Sequence, residues 1–178
     1  MVRRILLGLL VVGVAAGVAP PASAGRTLTD DHGTWQLGQQ QSVSSSGASG
    51  DAPSWAPSID ENGRFVVFVS QAKNLVAHQP DHRPEVFVRD RRRGVTRLVS
   101  RALRNGYYPN GNSYEPQITA DGRYVVFSSE ASNLVTRDRG RVADVFVRDL
   151  QTATTSLASL STAGTQSDGA SSSPSISD

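Results

Sequence analysis

The 178-residue sequence contains no cysteine, so neither a disulfide framework nor a lipid-anchoring lipobox is available to it. Any fold must rest on burial and hydrogen bonding alone. Lysine is almost missing as well: Lys73 is the only one, and arginine supplies the remaining basic charge. Histidine is confined to His32, His78 and His82. The chain has no Gly-x-Ser-x-Gly elbow and no glycine-rich phosphate loop, which removes two common sequence supports for an enzyme. Ser70 and Lys73 satisfy a Ser-x-x-Lys spacing, but the companion motifs of that chemistry are missing. The uninterrupted apolar run, residues 5–19, is shorter than the ~20 residues of a membrane-spanning helix.

That run has its own meaning. Arg3 and Arg4 precede it, Pro20 and Pro21 break it, and Ala22, Ser23 and Ala24 close it. A cationic start, an apolar middle and a small-residue end form a secretory signal, with cleavage expected after Ala24. Removal of Arg3 and Arg4 leaves 16 basic against 16 acidic residues, a formally neutral chain. The basic isoelectric point therefore gives no ground for a nucleic-acid partner. The expected setting is secreted or periplasmic, with no membrane span once the signal is removed.

What the sequence has in abundance is itself. At a shift of 59 residues, GRFVVFVSQAKNLV (63–76) falls on GRYVVFSSEASNLV (122–135). EVFVRD (85–90) likewise falls on DVFVRD (144–149), and TRLVS (96–100) on TSLAS (155–159). One residue is then lost, and at a shift of 58 Gly106 and Gly111 meet Gly164 and Gly169. At that shift Pro116 and Ile118 meet Pro174 and Ile176, so the last eight residues open a third copy. Internal periodicity of this kind is the mark of a repeat architecture.

Each copy predicts four short strands. The first lies near 57–59 and 116–118, followed by Asn62-Gly63 or Asp121-Gly122, whose positive φ angles suit a tight hairpin. The second, 64–70 and 123–129, is nearly continuous Phe, Tyr and Val, without the alternation of a strand that has one wet face. The third is 86–89 and 145–148, and the fourth is 95–101 and 154–160. Repeated four-stranded antiparallel units with inner strands apolar on both faces predict an all-β fold of β-propeller blades, two complete and a third begun, with the ring incomplete. A duplicated β-sandwich would leave one face of each sheet wet and would preserve alternation.

These residues resemble a known family. ITADGRYVVFSS followed by VFVRD is similar to the TolB-type, WD40-like bacterial propeller repeat, in a long-period form with SNLV after the second strand. The resemblance covers residues 54–178 and implies a propeller fold and an exported setting. Ala120 and Glu61 stand where the family usually has the proline of Pro-Asp-Gly. Related repeats also carry acidic loops that could ligate calcium. Here Asp138 and Asp144 in one copy, and Asp81 and Glu85 in the other, fall short of the six or more oxygens calcium takes.

The predicted layout is a signal at 1–24, a linker at 25–53, blades at 54–112 and 113–170, and the first strand of a truncated third blade at 171–178. The linker is either Ser/Gly-rich spacer or a stray fourth strand that closes the ring. Because the third copy stops after one strand, the chain reads as a piece of a longer protein. A head-to-tail ring of such chains would lack second and third strands at every junction, so no stable oligomer is expected.

No residue is assigned a catalytic, metal or cofactor role. His78 and His82 lie four apart, but Pro80 and Pro84 argue against the helix a metal pair would need. Tyr107, Tyr108, Asn110, Asn112 and Tyr114 enter the second blade on a loop at one mouth of the ring, a candidate polar and aromatic ligand surface. Arg89, Arg91, Arg92 and Arg93 form a candidate patch for an anionic partner on the outer hairpin. The expected function is a non-catalytic exported module that binds protein or cell-envelope glycan. The alternative is the propeller portion of a larger secreted enzyme, such as a peptidase.

Overall fold

The computed structural model describes residues 27–30, 33–36, 39–77, 79–103, 108–136, 138 and 142–178. The cleavage position after Ala24 lies outside the described residues, as do His32, His78 and Tyr107. Strands β1 (Thr27–Asp30) and β2 (Gly33–Gln36) pair as a separate hairpin. Strands β3 (Ser54–Ile59), β4 (Phe65–Ser70), β5 (Glu85–Asp90) and β6 (Val95–Leu98) form one antiparallel sheet in chain order. Strands β7 (Ser113–Ile118), β8 (Tyr124–Ser129), β9 (Asp144–Asp149) and β10 (Thr154–Leu157) repeat it. Among the described residues no helix is long and apolar enough to cross a membrane.

The two sheets stack face to face. On β4 and β5, Val67, Val69, Val86 and Val88 point toward the second sheet and share a core with its Val125, Phe127 and Phe146. The intervening residues Val66, Phe68 and Phe87 point the other way and pack with Ala72 and Leu75. Both faces of β4 are therefore covered, which is why five consecutive residues of it are buried. Phe68 stacks on Phe87 at 5.9 Å, and their repeat counterparts Phe127 and Phe146 stack at 5.8 Å. Four-stranded antiparallel units, chain-ordered and layered on one another, are the blades of an incomplete β-propeller.

Repeated polar bonds hold each blade. Arg64 clasps Asp90 through Nε at 3.3 Å and Nη2 at 2.8 Å, and Arg123 clasps Asp149 at 3.2 and 2.9 Å. The same guanidinium groups lie over Phe65 and Tyr124, 4.5 and 4.7 Å from the ring centroids. This explains why Gly-Arg-aromatic and Val-Arg-Asp recur together. The Arg64 and Arg123 side chains link the hairpin before the second strand to the end of the third.

Three local features differ from the predicted strands. The first strands begin earlier, at Ser54 and Ser113, because a bulge lets them continue through a proline. The extra residue takes a left-handed conformation, at Ala56 (φ 49°) and Glu115 (φ 53°). In the turns that follow, only the glycine is left-handed (Gly63 φ 63°, Gly122 φ 73°), and its N–H reaches back to Asp60 or Thr119. That is a turn closed by one left-handed glycine rather than a two-residue pair with both φ positive. The fourth strands end early, at Leu98 and Leu157, where the chain curls from Val99 to Arg101 and from Ala158 to Leu160.

Candidate functional site

The connection between the blades carries most of the predicted ligand surface. Asn110 donates its backbone N–H to Asn133 Oδ1 at 3.1 Å, and Asn133 Nδ2 donates to the Tyr108 carbonyl at 2.9 Å. Asn110 Oδ1 accepts from the Ser132 N–H at 2.9 Å. The same three bonds recur one copy earlier among Asp51, Asn74, Lys73 and Ser49. Asn74 and Asn133 are the asparagines of the recurring Asn-Leu-Val, and their function is to pin the incoming connection to the loop after the second strand. Their recurrence was visible in the sequence, although the clamp they form was not predicted. Asn112 Nδ2 donates to Glu130 at 3.1 Å, and Tyr108 donates its hydroxyl to the Ala77 carbonyl. Tyr114 is half-buried, and burial raises its phenol above the usual value.

The hairpin arginines separate. Arg89 turns inward, donating to the Ser44 carbonyl at 3.0 Å and to Thr96 Oγ1 at 3.1 Å; burial lowers its pKa. Arg91 reaches across to the Gly63 carbonyl at 2.7 Å. Arg92 and Arg93 are exposed, with their backbone N–H groups on Asp90 at 3.1 Å. Ser70 and Lys73 are not brought together: Ser70 is buried against Ser54 and the Pro53 carbonyl, whereas Lys73 is exposed.

Two buried carboxyls mark equivalent places at the head of the third strands. Glu85 accepts from Ser100 Oγ at 2.6 Å and Ser113 Oγ at 3.2 Å, and burial pushes it up to about 9. Asp144 accepts from Ser159 Oγ at 2.6 Å and Gln166 Nε2 at 2.7 Å. The same Gln166 amide donates to Asp138 at 3.0 Å, so an N–H group stands between the two acids of that loop. Among the described residues no group of three His, Asp or Glu side chains is placed to hold a metal.

A groove of about 550 Å³ opens between the outer strands of the two blades. Val88 and Leu150 of the shared core give it an apolar wall, and Arg97, Arg101, Arg148 and Tyr108 also line it. Strand register puts two of these arginines on facing sides of the junction, Arg97 exposed and Arg148 half-buried. Arg97 pairs with Val88 on the face that meets the second blade, and Arg148 on β9 stands two residues before Leu150, which packs on the shared core from the other side. Arg148 donates to Thr155 Oγ1 at 2.9 Å.

No family model matches the chain, and no curated protein does. Among solved structures it is similar to the crystal structure of TolB from Acinetobacter baumannii, at 19% identity and a TM-score of 0.36, covering 60% of this chain and 21% of that one. It is also similar to the β-propeller domain of the Trilobed protease from Pyrococcus furiosus, at 19% identity and a TM-score of 0.38, covering 60% and 27%. The chain thus spans about a quarter of the length of either relative.

Proposed function

We propose that the protein is an exported, non-catalytic propeller module that binds a protein or a cell-envelope glycan through the loop surface at the blade junction. One observation supports this above the others. The polar side chains repeated between copies are engaged in fold-building bonds: Arg64 with Asp90, Asn133 with Tyr108, and Glu85 with Ser113. The residues left for a partner are those that differ between copies, and around Tyr108 and Tyr114 they are aromatic and polar rather than reactive. Aromatic faces flanked by hydrogen-bonding groups suit a polar partner of either class. Export has a direct test. Expression of the full chain in a bacterial host should yield extracytoplasmic protein whose N-terminus is Gly25; retention in the cytoplasm with Met1 intact would remove the export part. Binding is tested by sedimentation with purified cell-wall sacculi and by crosslinking to envelope proteins. The Tyr108→Ala, Tyr114→Ala double variant should lose whichever interaction is found, and equal binding by that variant would refute the assigned surface.

A further inference from the structure

The groove lies at the junction of the two described blades. Two blades of the same design need Val88 and Leu150 there, because these belong to the core shared by the sheets. They do not need Arg97 or Arg101. The second copy builds the same strand and curl with Ser156 in place of Arg97 and Leu160 in place of Arg101. The earlier junction treats its arginine differently as well. Arg89, the counterpart of Arg148, is met by the Ser44 carbonyl, while Thr96 Oγ1 reaches the Val43 carbonyl and Ser45 Oγ receives the Thr96 N–H. Residues 43–45 thus hold Arg89 and Thr96 through their own polar atoms.

We propose that this groove is a binding site for a small amphiphilic anion, a carboxylate or sulfonate head on an apolar body, the head held among Arg97, Arg101 and Arg148. Arg97, Arg101 and Arg148 all line the groove beside apolar Val88 and Leu150, Arg148 half-buried and the other two exposed at its rim. The three lie near enough to interact: burial lowers the pKa of Arg148 first, and the charges of Arg101 and Arg97 lower it further, against Asp149. An anionic head placed among them gains charge-assisted hydrogen bonds. The volume falls within the usual range of small-molecule sites, and apolar walls with a few convergent polar groups are their usual lining. This site does not depend on export, and it shares only Tyr108 with the loop surface.

The probe is 8-anilinonaphthalene-1-sulfonate, compared with N-phenyl-1-naphthylamine, the same aromatic body without the anionic head. Fluorescence and calorimetric titrations should give one anionic probe bound per chain, displaced by octanoate and weakened by salt, with the uncharged probe at least about tenfold weaker. Arg97→Ser installs the residue of the other copy, and Ala77→Glu places a carboxylate beside the exposed end of the groove; each should weaken the anionic probe by about tenfold with unchanged circular dichroism. Equal binding of the two probes, several anionic probes per chain, or unchanged affinity in both variants would each overturn the proposal.

Discussion

Replacing Glu85 with glutamine should make the protein more stable at neutral pH. The carboxyl sits at the head of β5, 3% exposed, and accepts hydrogen bonds from Ser100 and Ser113. Burial is the dominant influence and raises its pKa to about 9; the two serines and Arg83 oppose it, while Asp81 adds to it. Because the folded value lies above the unfolded one, the folded state holds a proton that the unfolded chain releases. Stability is fully present below about pH 4.3 and is lost as pH rises toward 9. At about 1.4 kcal/mol per pH unit, the loss by pH 7 reaches an upper limit of ~4 kcal/mol. Glutamine keeps the size and the acceptor oxygen but has no proton to lose. Urea unfolding at intervals from pH 5 to 9 should show the wild-type midpoint falling and the Glu85→Gln midpoint level. The variant should lead by ~2–4 kcal/mol at pH 7. Parallel profiles, or a variant weaker at pH 7, would show that Glu85 is ionised in place and that the serines outweigh its burial.

Asp149 carries the opposite sign. Its hydrogen bond from Arg123 comes first among the causes that hold it near 2, so its stabilisation is present above about pH 4 and is lost as pH falls through that lower value. Arg123→Gln should shift acid unfolding, followed by tryptophan fluorescence, to higher pH, and an unmoved transition would rule out the clasp. A glycine pair tests the packing of the connections. A Cβ on Gly111 would lie 2.5 Å from the Glu130 backbone carbonyl, whereas one on its counterpart Gly169 would meet nothing within 4 Å. Gly111→Ala should cost ~1–3 kcal/mol in thermal unfolding, and Gly169→Ala less than ~0.5 kcal/mol. Equal costs would mean that the close approach at Gly111 does not hold in solution.

The blades were legible because the repeat compares the sequence with itself. Two copies of Phe-Val-Val-Phe or Tyr-Val-Val-Phe without alternation required a sheet buried on both faces, and β4 and β8 are buried in that way. What stayed hidden depends on partners far apart in sequence. Arg89 and Arg92 look alike in a run of arginines, yet register turns the first toward Ser44 and leaves the second in solvent. Asn110 looks like a ligand group on a loop until Asn133 and Ser132, more than twenty residues on, occupy it. The groove was hidden for the same reason. Arg97 and Arg148 are half a hundred residues apart and meet only because one faces forward from its blade and the other faces back.

The repeat also separates the residues that serve the fold from those free to serve something else. The left-handed residue of the first strand recurs at Ala56, Glu115 and Ser173, and no side-chain chemistry unites alanine, glutamate and serine. What recurs is the left-handed backbone, which at Ala56 and Glu115 forms the bulge of the first strand. The Ser113 N–H on the Pro84 carbonyl at 2.8 Å likewise returns as the Ser171 N–H on the Ala143 carbonyl at 2.6 Å. A position that keeps its bond while its side chain changes serves the architecture. A position whose side chain changes without altering the backbone around it, as Arg97 does against Ser156, is one the architecture leaves unconstrained. By that criterion the charges of Arg97 and Arg101 are additions to the repeat, whereas Arg148 keeps the charge of its counterpart Arg89. Exchanging Arg97 for Ser should therefore alter anion binding while leaving the blades intact.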